Sequence, residues 1–242
     1  MSILTRKEKY VKESIIIATI KEWNIENYFK LKEKFSKRYD FHLITSNEEL
    51  TVSTIEKINP KYIFFLHWSW IIPKSIYENF ECVVFHMTDL PFGRGGSPLQ
   101  NLLINGIYQT KISAIKVSEI LDAGDIYLKE DLDISTGSAR EIFTKASQLT
   151  IEKMIPQFLN STLIPKKQYG KVVTFKRRKP SQSNLLNLDN ISISKLYDFI
   201  RMLDAEGYPK AFIELDKYKI ELSNVQKENK TLNGNFKVVI NE

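Results

Sequence analysis

Short apolar runs rich in β-branched residues alternate with amphipathic segments along the first half of the chain. The runs span residues 14–20, 41–44, 62–66 and 83–85, and helical spacing of apolar residues falls at 24–35 and 47–58. Strands that alternate with helices are typical of a parallel sheet with helices on both faces. The pattern therefore predicts an α/β fold with a doubly wound, mostly parallel, Rossmann-like sheet. The first run lacks a GxGxxG turn, so dinucleotide binding there is not expected.

The second half carries a different pattern. A short helix is predicted at 98–106, and a long one at 138–160, with Ser138 as N-cap and Glu141 completing a capping box. Another helix is predicted at 191–203, followed by alternating segments at 211–215, 219–222 and 236–240 that indicate antiparallel strands. The polar stretch 181–190 marks a boundary nearby. We therefore predict a main domain at 1–175 and a small helix-plus-antiparallel-β subdomain at 176–242.

Composition limits the cellular setting and the cofactors. The only cysteine, Cys82, lies in an apolar run, so an intramolecular disulfide is ruled out and a reducing cytosol is favoured. The three histidines share no metal-ligand spacing, so no metal is expected. Residues 1–12 lack the apolar core of a signal peptide, and no run approaches the roughly 18 apolar residues of a membrane span. We expect a cytoplasmic protein with no membrane partner.

One histidine and one acidic turn carry the strongest functional signal. His86 follows the apolar run 81–85 and precedes a loop rich in Gly and Pro, and Leu121-Asp122-Ala123-Gly124-Asp125 comes later. Ligands bind at the carboxyl ends of strands in open α/β sheets. Asp122 could therefore orient the imidazole of His86 for proton transfer. The alternative is a structural histidine and an ordinary turn, but the two motifs together are more specific than either alone.

Two further loops admit both a structural and a functional interpretation. Trp68 and Trp70 follow the third run, and they either pack in the core or form an apolar slot for a flat heterocycle. The glycines after Arg94 either cradle an anion before a short helix or supply positive φ angles. Arg94 itself either binds a phosphate or braces the loop.

The motif residues fall in the register of a known family. His86, Thr88, Leu90, Pro91, Arg94, Gly95, Pro98, Leu121, Asp122, Gly124 and Asp125 match its two motifs. The sequence resembles the N10-formyltetrahydrofolate-dependent formyltransferases, which include methionyl-tRNA formyltransferase and the nucleotide-sugar N-formyltransferases. The resemblance extends over most of the chain.

The resemblance implies transfer of a formyl group from N10-formyltetrahydrofolate, as co-substrate, to a primary amine. It implies that His86 and Asp122 are catalytic and that the folate binds against the loop after the third run and near Asp122. The folate-binding residues it implies are Trp68, Trp70, Ile71, Ile72 and Asp122. The acceptor-binding residues expected are Thr88, Arg94, Gly95, Gly96, Pro98, Gln100, Tyr208 and Phe212, the last two by stacking on a nucleotide base.

One position departs from the family pattern. The family has a catalytic asparagine two positions before the histidine, where this chain has Val84. Loss of one oxyanion donor typically costs about 2.7–4 kcal/mol. Gln100, Thr88, Asn101 or a backbone N–H group are the replacements considered. A catalytically inactive folate- or nucleotide-binding homologue is the alternative that Val84 keeps open.

The acceptor expected first is a nucleotide-linked amino-deoxy sugar, such as a 4-amino-4,6-dideoxyhexose precursor of a surface glycan that contains a nonulosonic acid. The alternative is a methionyl-tRNA formyltransferase-like enzyme. The segment 166–179, with seven basic residues and no acidic one, favours tRNA, whereas the short C-terminal part opposes it. The partners expected are the nucleotide sugar and folate, with a homodimer as a further option and no nucleic acid.

Overall fold

A computed structural model describes residues 11–240 of the chain. Most of the segment in which a signal peptide was not expected, residues 1–10, lies outside the described residues. The chain divides into two compact units, one that ends at Val83 and one that begins at Val84.

The first unit is built around a central buried strand. Its elements are β1 (Glu13–Ala18), α1 (Glu22–Phe35), β2 (Tyr39–Ile44), α2 (Val52–Ile58), β3 (Pro60–Phe65) and α3 (Lys74–Tyr77). β1 pairs in parallel with both β2 and β3. Ile15, Ile16 and Ile17 are fully buried, so consecutive residues on both faces of β1 are covered. This explains why the first run is continuously apolar rather than alternating.

The boundary between the units falls inside β4 (Cys82–His86), which ends at the predicted catalytic histidine. The elements that follow are β5 (Phe92–Gly95), α4 (Pro98–Ile104), β6 (Gln109–Lys116), β7 (Ile126–Asp133), α5 (Ala139–Leu149), α6 (Ile155–Asn160), β8 (Val173–Phe175), α7 (Ile193–Arg201), β9 (Ala211–Glu214), β10 (Tyr218–Glu228) and β11 (Thr231–Ile240). A π-helical turn (Thr150–Met154) joins α5 to α6.

The strands form three sheets. The largest has six strands in the order β2-β1-β3-β4-β6-β7, with β6 and β7 antiparallel. The predicted doubly wound, mostly parallel α/β fold is confirmed. β9, β10 and β11 form an antiparallel sheet, which confirms the predicted C-terminal strands, and β5 pairs in parallel with β8.

Two helix predictions were wrong in detail. The second helix begins at Val52 rather than at residue 47, because the Thr51 hydroxyl caps it by accepting from Thr54 N. The long helix predicted at 138–160 is helical from Ala139 to Asn160 but changes to π geometry at Thr150–Met154, where Ile155 N donates to Thr150 O, five residues back and just before Pro156. A proline has no N–H to donate and crowds the preceding turn, which fits a change in helix geometry here. The predicted capping box of Ser138 and Glu141 is confirmed.

No helix within residues 11–240 is long and apolar enough to cross a membrane. Cys82 is buried, as expected from its apolar run. The domain boundary near residue 175 stays a prediction.

Candidate active site

His86 is held at the end of β4 in a defined orientation. Its Nε2 lies 2.8 Å from the carbonyl oxygen of Gly93, and the residue is buried. A carbonyl oxygen only accepts, so Nε2 carries a hydrogen and donates to Gly93 O. In the neutral imidazole, the lone pair is then on Nδ1. The backbone of the glycine-rich loop therefore selects which ring nitrogen can take up a proton.

Asp122 faces that second nitrogen. Its Oδ2 lies 3.6 Å from His86 Nδ1, and the two side chains are only 8% and 9% exposed. The same oxygen accepts a hydrogen bond from Gly95 N at 2.8 Å, so the carboxylate is anchored to the glycine-rich loop. Asp122 adopts a left-handed backbone conformation (φ 54°), which an Asp tolerates better than most residues. The structure thus brings together the His–Asp pair that the sequence predicted.

A glutamine that the sequence analysis missed ties the Arg94 side chain to the Asp122 turn. Gln168 Nε2 donates to the carbonyl oxygens of Asp122 and Gly124, both at 2.8 Å. Its Oε1 accepts from Arg94 Nε at 3.1 Å and from Nη2 at 2.7 Å. Of the two roles considered for Arg94, these contacts favour bracing. Gln168 lies within the basic segment 166–179, and no local pattern singled it out.

Two glycines allow this close approach of backbone segments. A Cβ on Gly124 would lie 1.7 Å from Lys116 O, so no side chain fits in the turn beside Asp122. Gly95 has a φ of 98°, and a Cβ there would lie 2.4 Å from Phe175 O. Gly93 has positive φ as well. These angles support the turn interpretation of the glycine-rich loop.

The side chains considered as replacements for the family asparagine already donate to backbone carbonyls. Thr88 Oγ1 donates to Gly93 O, and Gln100 Nε2 donates to Met202 O. Asn101 Nδ2 lies within hydrogen-bond distance of Gly96 O, Ser97 O and Lys176 O. A replacement by Thr88 or Asn101 would therefore break bonds to the glycine-rich loop, and a replacement by Gln100 would break its bond to the end of α7. Which group replaces the family asparagine stays a prediction. A backbone N–H group is the alternative that would leave all of these hydrogen bonds in place.

The basic segment runs beside the same loop. β8 pairs with β5, Gly96 N donates to Phe175 O at 3.2 Å, and Arg178 N donates to Ser97 Oγ at 3.1 Å. Lys176 and Arg177 between them are exposed. Pro98 begins α4, next to the Gly96-Ser97 backbone. Lys176 and Arg177, called the basic strip below, therefore border the glycine-rich loop, whose Gly95 N donates to Asp122.

Tyr208 and Phe212, expected to stack on a base, contact other side chains of the second unit, where Tyr208 is half-buried and Phe212 is buried. The Tyr208 ring stacks on Phe143 with centroids 5.3 Å apart, and burial raises the pKa of its phenol. Phe212 is 7% exposed, and the Lys219 ammonium lies 4.5 Å above its ring. These contacts fit core packing, and base stacking stays a prediction without support from them.

In the first unit, the tryptophan loop combines exposed apolar surface with an unsatisfied donor. Trp70 is 42% and Ile71 92% exposed, whereas Ile72 is buried. Trp68 packs edge-on against Phe65 and Trp70. Its Nε1 is buried without a hydrogen-bond partner among the described residues. A buried donor without an acceptor is costly, and a bound acceptor would satisfy it.

His67, which precedes this tryptophan, is held neutral. Burial, followed by the charge of Lys21, lowers its pKa to about 3. The residue has a left-handed backbone (φ 52°), and its ring meets Trp23 edge-on at 5.6 Å. Within residues 11–240, no group of three or more His, Cys, Asp or Glu side chains could hold a metal ion.

The sheet places the chain among the Rossmann-like α/β proteins. The buried His86–Asp122 pair at the end of β4 is an arrangement that can take up and release a proton. Residues 180–239 match the family model described as methionyl-tRNA formyltransferase, C-terminal domain. The solved structure of a methionyl-tRNA formyltransferase from Clostridium thermocellum is 51% identical, with a TM-score of 0.91 over 95% of this chain and 100% of that one. The chain belongs to the formyltransferase family.

Two further relatives are more distant. A methionyl-tRNA formyltransferase from Rickettsia felis is 31% identical over 147 residues, which are 59% of this chain and 48% of the relative. A sugar N-formyltransferase from Shewanella has a TM-score of 0.69 at 17% identity, over 90% of this chain and 99% of that one. The chain spans about half the length of the first curated relatives it matches.

Proposed function

We propose that this chain transfers a formyl group from N10-formyltetrahydrofolate to a primary amine. The observation that carries the proposal is the His86–Asp122 pair, with Nδ1 and Oδ2 3.6 Å apart and Nε2 bound to Gly93 O. Family membership supplies the reaction and the donor. When bound, the donor supplies the formyl carbonyl that the amine attacks.

In this proposal, His86 Nδ1 takes the proton that the attacking amine releases. The ring then becomes an imidazolium, with Nε2–H bound to Gly93 O and Nδ1–H facing Asp122. The Asp122 carboxylate stabilises this cation and holds the ring orientation. Both N–H groups of the imidazolium are then directed at Gly93 O and Asp122, so in the absence of the family asparagine the ring stabilises negative charge on the formyl oxygen through its positive charge. It can later return the proton to the leaving nitrogen.

We assign the pterin of the folate to the tryptophan loop. The residues fit a flat heterocycle with polar edges: apolar surface is available at Trp70 and Ile71, and no described residue offers an acceptor to Trp68 Nε1. Pockets for such ligands combine apolar walls with a few placed polar groups. This assignment rests on the family resemblance and on the orphaned indole N–H.

For the acceptor, the comparisons favour methionyl-tRNA over the amino sugar that the sequence analysis put first. The relative with 51% identity and the matched C-terminal family model both carry that name. The exposed basic strip beside the glycine-rich loop supports a phosphate-rich acceptor. The contacts of Tyr208 with Phe143 and the burial of Phe212 give no support to stacking of these rings on a nucleotide base.

The test is a panel of acceptors incubated with the formyl donor: methionyl-tRNA and nucleotide-linked amino-deoxy sugars. Formylation of methionyl-tRNA supports the proposal. Formylation of a sugar alone would identify a nucleotide-sugar N-formyltransferase instead. Transfer to neither, with folate bound, would identify an inactive binding homologue.

The basic strip has its own control. Arg177→Ala should weaken transfer to methionyl-tRNA and reduce its dependence on salt, because a phosphate contact releases counterions. Lys153→Ala removes an exposed charge elsewhere in the same unit and should change neither. Equal effects of the two variants would argue against contact between the strip and the acceptor.

A further inference from the structure

The hydrogen-bond capacity of the Gln168 side chain is fully used by protein groups. A carboxamide offers two N–H donors and one oxygen that accepts through two lone pairs. The donors bind Asp122 O and Gly124 O, both at 2.8 Å, and the oxygen accepts from Arg94 Nε and Nη2. No donor or lone pair is left for a substrate, so these contacts fix the protein groups around Gln168 instead.

Arg94 fixes the direction of the Gln168 amide. A guanidinium group only donates, so the amide atom that faces it must be the oxygen. The NH2 group is then turned toward the backbone of residues 122–124. Two backbone hydrogen bonds between Lys166 and Ile126, at 2.8 and 2.9 Å, hold the chain two residues before Gln168. Both the backbone and the amide of Gln168 are therefore held in place.

Asp122 has a backbone conformation that needs support from its surroundings. Its φ of 54° lies in the left-handed region, which costs free energy for a residue other than glycine. Such a conformation persists where the surrounding contacts hold it. Gln168 binds the carbonyl oxygen of Asp122, and Gly95 N binds its carboxylate at 2.8 Å. The backbone and the side chain of Asp122 are thus held by separate contacts.

These contacts form a closed ring, called the Asp122 ring below, of four residues: Arg94, Gly95, Asp122 and Gln168. Arg94 and Gly95 are neighbours in the chain, so the peptide bond between them completes the ring. Because the ring is closed, no member can move without straining the contacts of the others. The Oδ2 atom that Asp122 contributes to this ring is also the atom 3.6 Å from His86 Nδ1.

We propose that Gln168 is a positioning residue for formyl transfer and that it acts on His86 through Asp122. The proposal rests on the proposed function, because it assigns to Gln168 the placement of the carboxylate in that mechanism. Without Gln168 the 122–124 turn relaxes and Oδ2 moves away from Nδ1. A displacement of about 1 Å at a reacting site can cost about a hundredfold in rate. The loss should fall on kcat and leave the KM for the folate unchanged, since Gln168 binds neither substrate.

Two variants of Gln168 separate the placement of Asp122 from the contact with Arg94. Gln168→Leu removes all four hydrogen bonds, whereas Gln168→Glu keeps oxygen acceptors for Arg94 and loses both donors to the turn. Each variant should lower kcat about 10- to 100-fold with a parental KM for the folate. Gln157→Leu removes an exposed glutamine of α6 and, as the matched control, should keep the parental kcat. A parental kcat in either Gln168 variant would overturn the proposal.

A double-mutant cycle tests whether Gln168 acts through Asp122. In the Asp122→Asn background the carboxylate is already gone, so adding Gln168→Leu should not lower kcat further. A residue needed only for the stability of the fold would lower kcat by the same factor in both backgrounds. Equal factors would therefore contradict the proposal.

A third measurement needs no turnover, so it separates this proposal from the proposed function. Arg94-Gly95 is the only Arg-Gly step in the sequence, so labelling with 13C-carbonyl arginine and 15N-glycine isolates the Gly95 amide in NMR spectra. Its proton reports the hydrogen bond to the Asp122 carboxylate, and its signal should move upfield in both Gln168 variants. An unchanged signal in both would overturn the proposal. A parent that formylates no acceptor would contradict the proposed function, and this signal would still test the placement of Asp122.

Discussion

Replacing Asp122 by Asn should slow formyl transfer about a thousandfold. The substitution removes a negative charge 3.6 Å from His86 Nδ1 and leaves an amide oxygen that can still accept from Gly95 N. Two unit charges at this distance interact by about 4–5 kcal/mol at an effective dielectric constant of about 20. The imidazolium forms only as the amine is deprotonated, so this loss falls on the transition state. Each ~1.4 kcal/mol corresponds to a tenfold change in rate.

The assay compares kcat and KM of formyl transfer for the parent and two variants of the same turn. Asp122→Asn should lower kcat with little change in KM for the folate, since the charge acts on His86. Asp125→Asn removes a carboxylate three residues away and should stay within a few-fold of the parent. The melting temperature reports whether the turn is intact. An Asp122→Asn variant with near-parental kcat would refute the assignment of Asp122 as the partner of an imidazolium.

Three further predictions concern the framework of the site. Gln168→Leu removes the hydrogen bonds that join Arg94 to the Asp122 turn, and should lower the free energy of unfolding by about 1–3 kcal/mol in urea titrations; an unchanged midpoint would mean that these bonds do not hold the turn. His67 has a folded pKa of about 3 against an ordinary value of 6.5. The stability of the fold with a neutral His67 is therefore fully present above pH 6.5 and is lost as the pH falls toward 3. The free energy of unfolding should therefore drop by about 1.4 kcal/mol per pH unit between these values, and His67→Asn, which suits the positive φ, should flatten this slope. Gly124→Ala would place a Cβ 1.7 Å from Lys116 O, so it should displace the Asp122 turn and reduce both turnover and melting temperature; parental values for both would contradict the close approach.

The local patterns of the sequence predicted most of the fold. Continuous apolar runs such as the one containing Ile15, Ile16 and Ile17 reflect burial on both faces of a strand, which is a strong signal. Helix starts depended on competing caps. Residues 46, 47 and 51 all carry polar side chains that can cap a helix, so the sequence did not decide between them. The structure uses Thr51. The π-helical turn before Pro156 depends on packing that no periodicity records.

The site was predictable only where its residues lie in motifs. His86 and Asp122 follow strands of one sheet, and the ends of neighbouring strands meet in space. Gln168 could not be predicted, because its four contacts join segments more than 40 residues apart. Tyr208 and Phe212 were assigned to substrate from their aromatic character alone, and the same character suits the packing against neighbouring side chains that the structure shows. Composition cannot distinguish a stacking platform from a packed ring.

The most direct test of the proposed chemistry is single-turnover formyl transfer by the parent and by His86→Asn, with folate binding measured on the same samples. We predict that the variant binds N10-formyltetrahydrofolate as the parent does but does not transfer its formyl group to methionyl-tRNA. Transfer at the parental rate would contradict the account, because the proton would then leave the amine without the imidazole of His86.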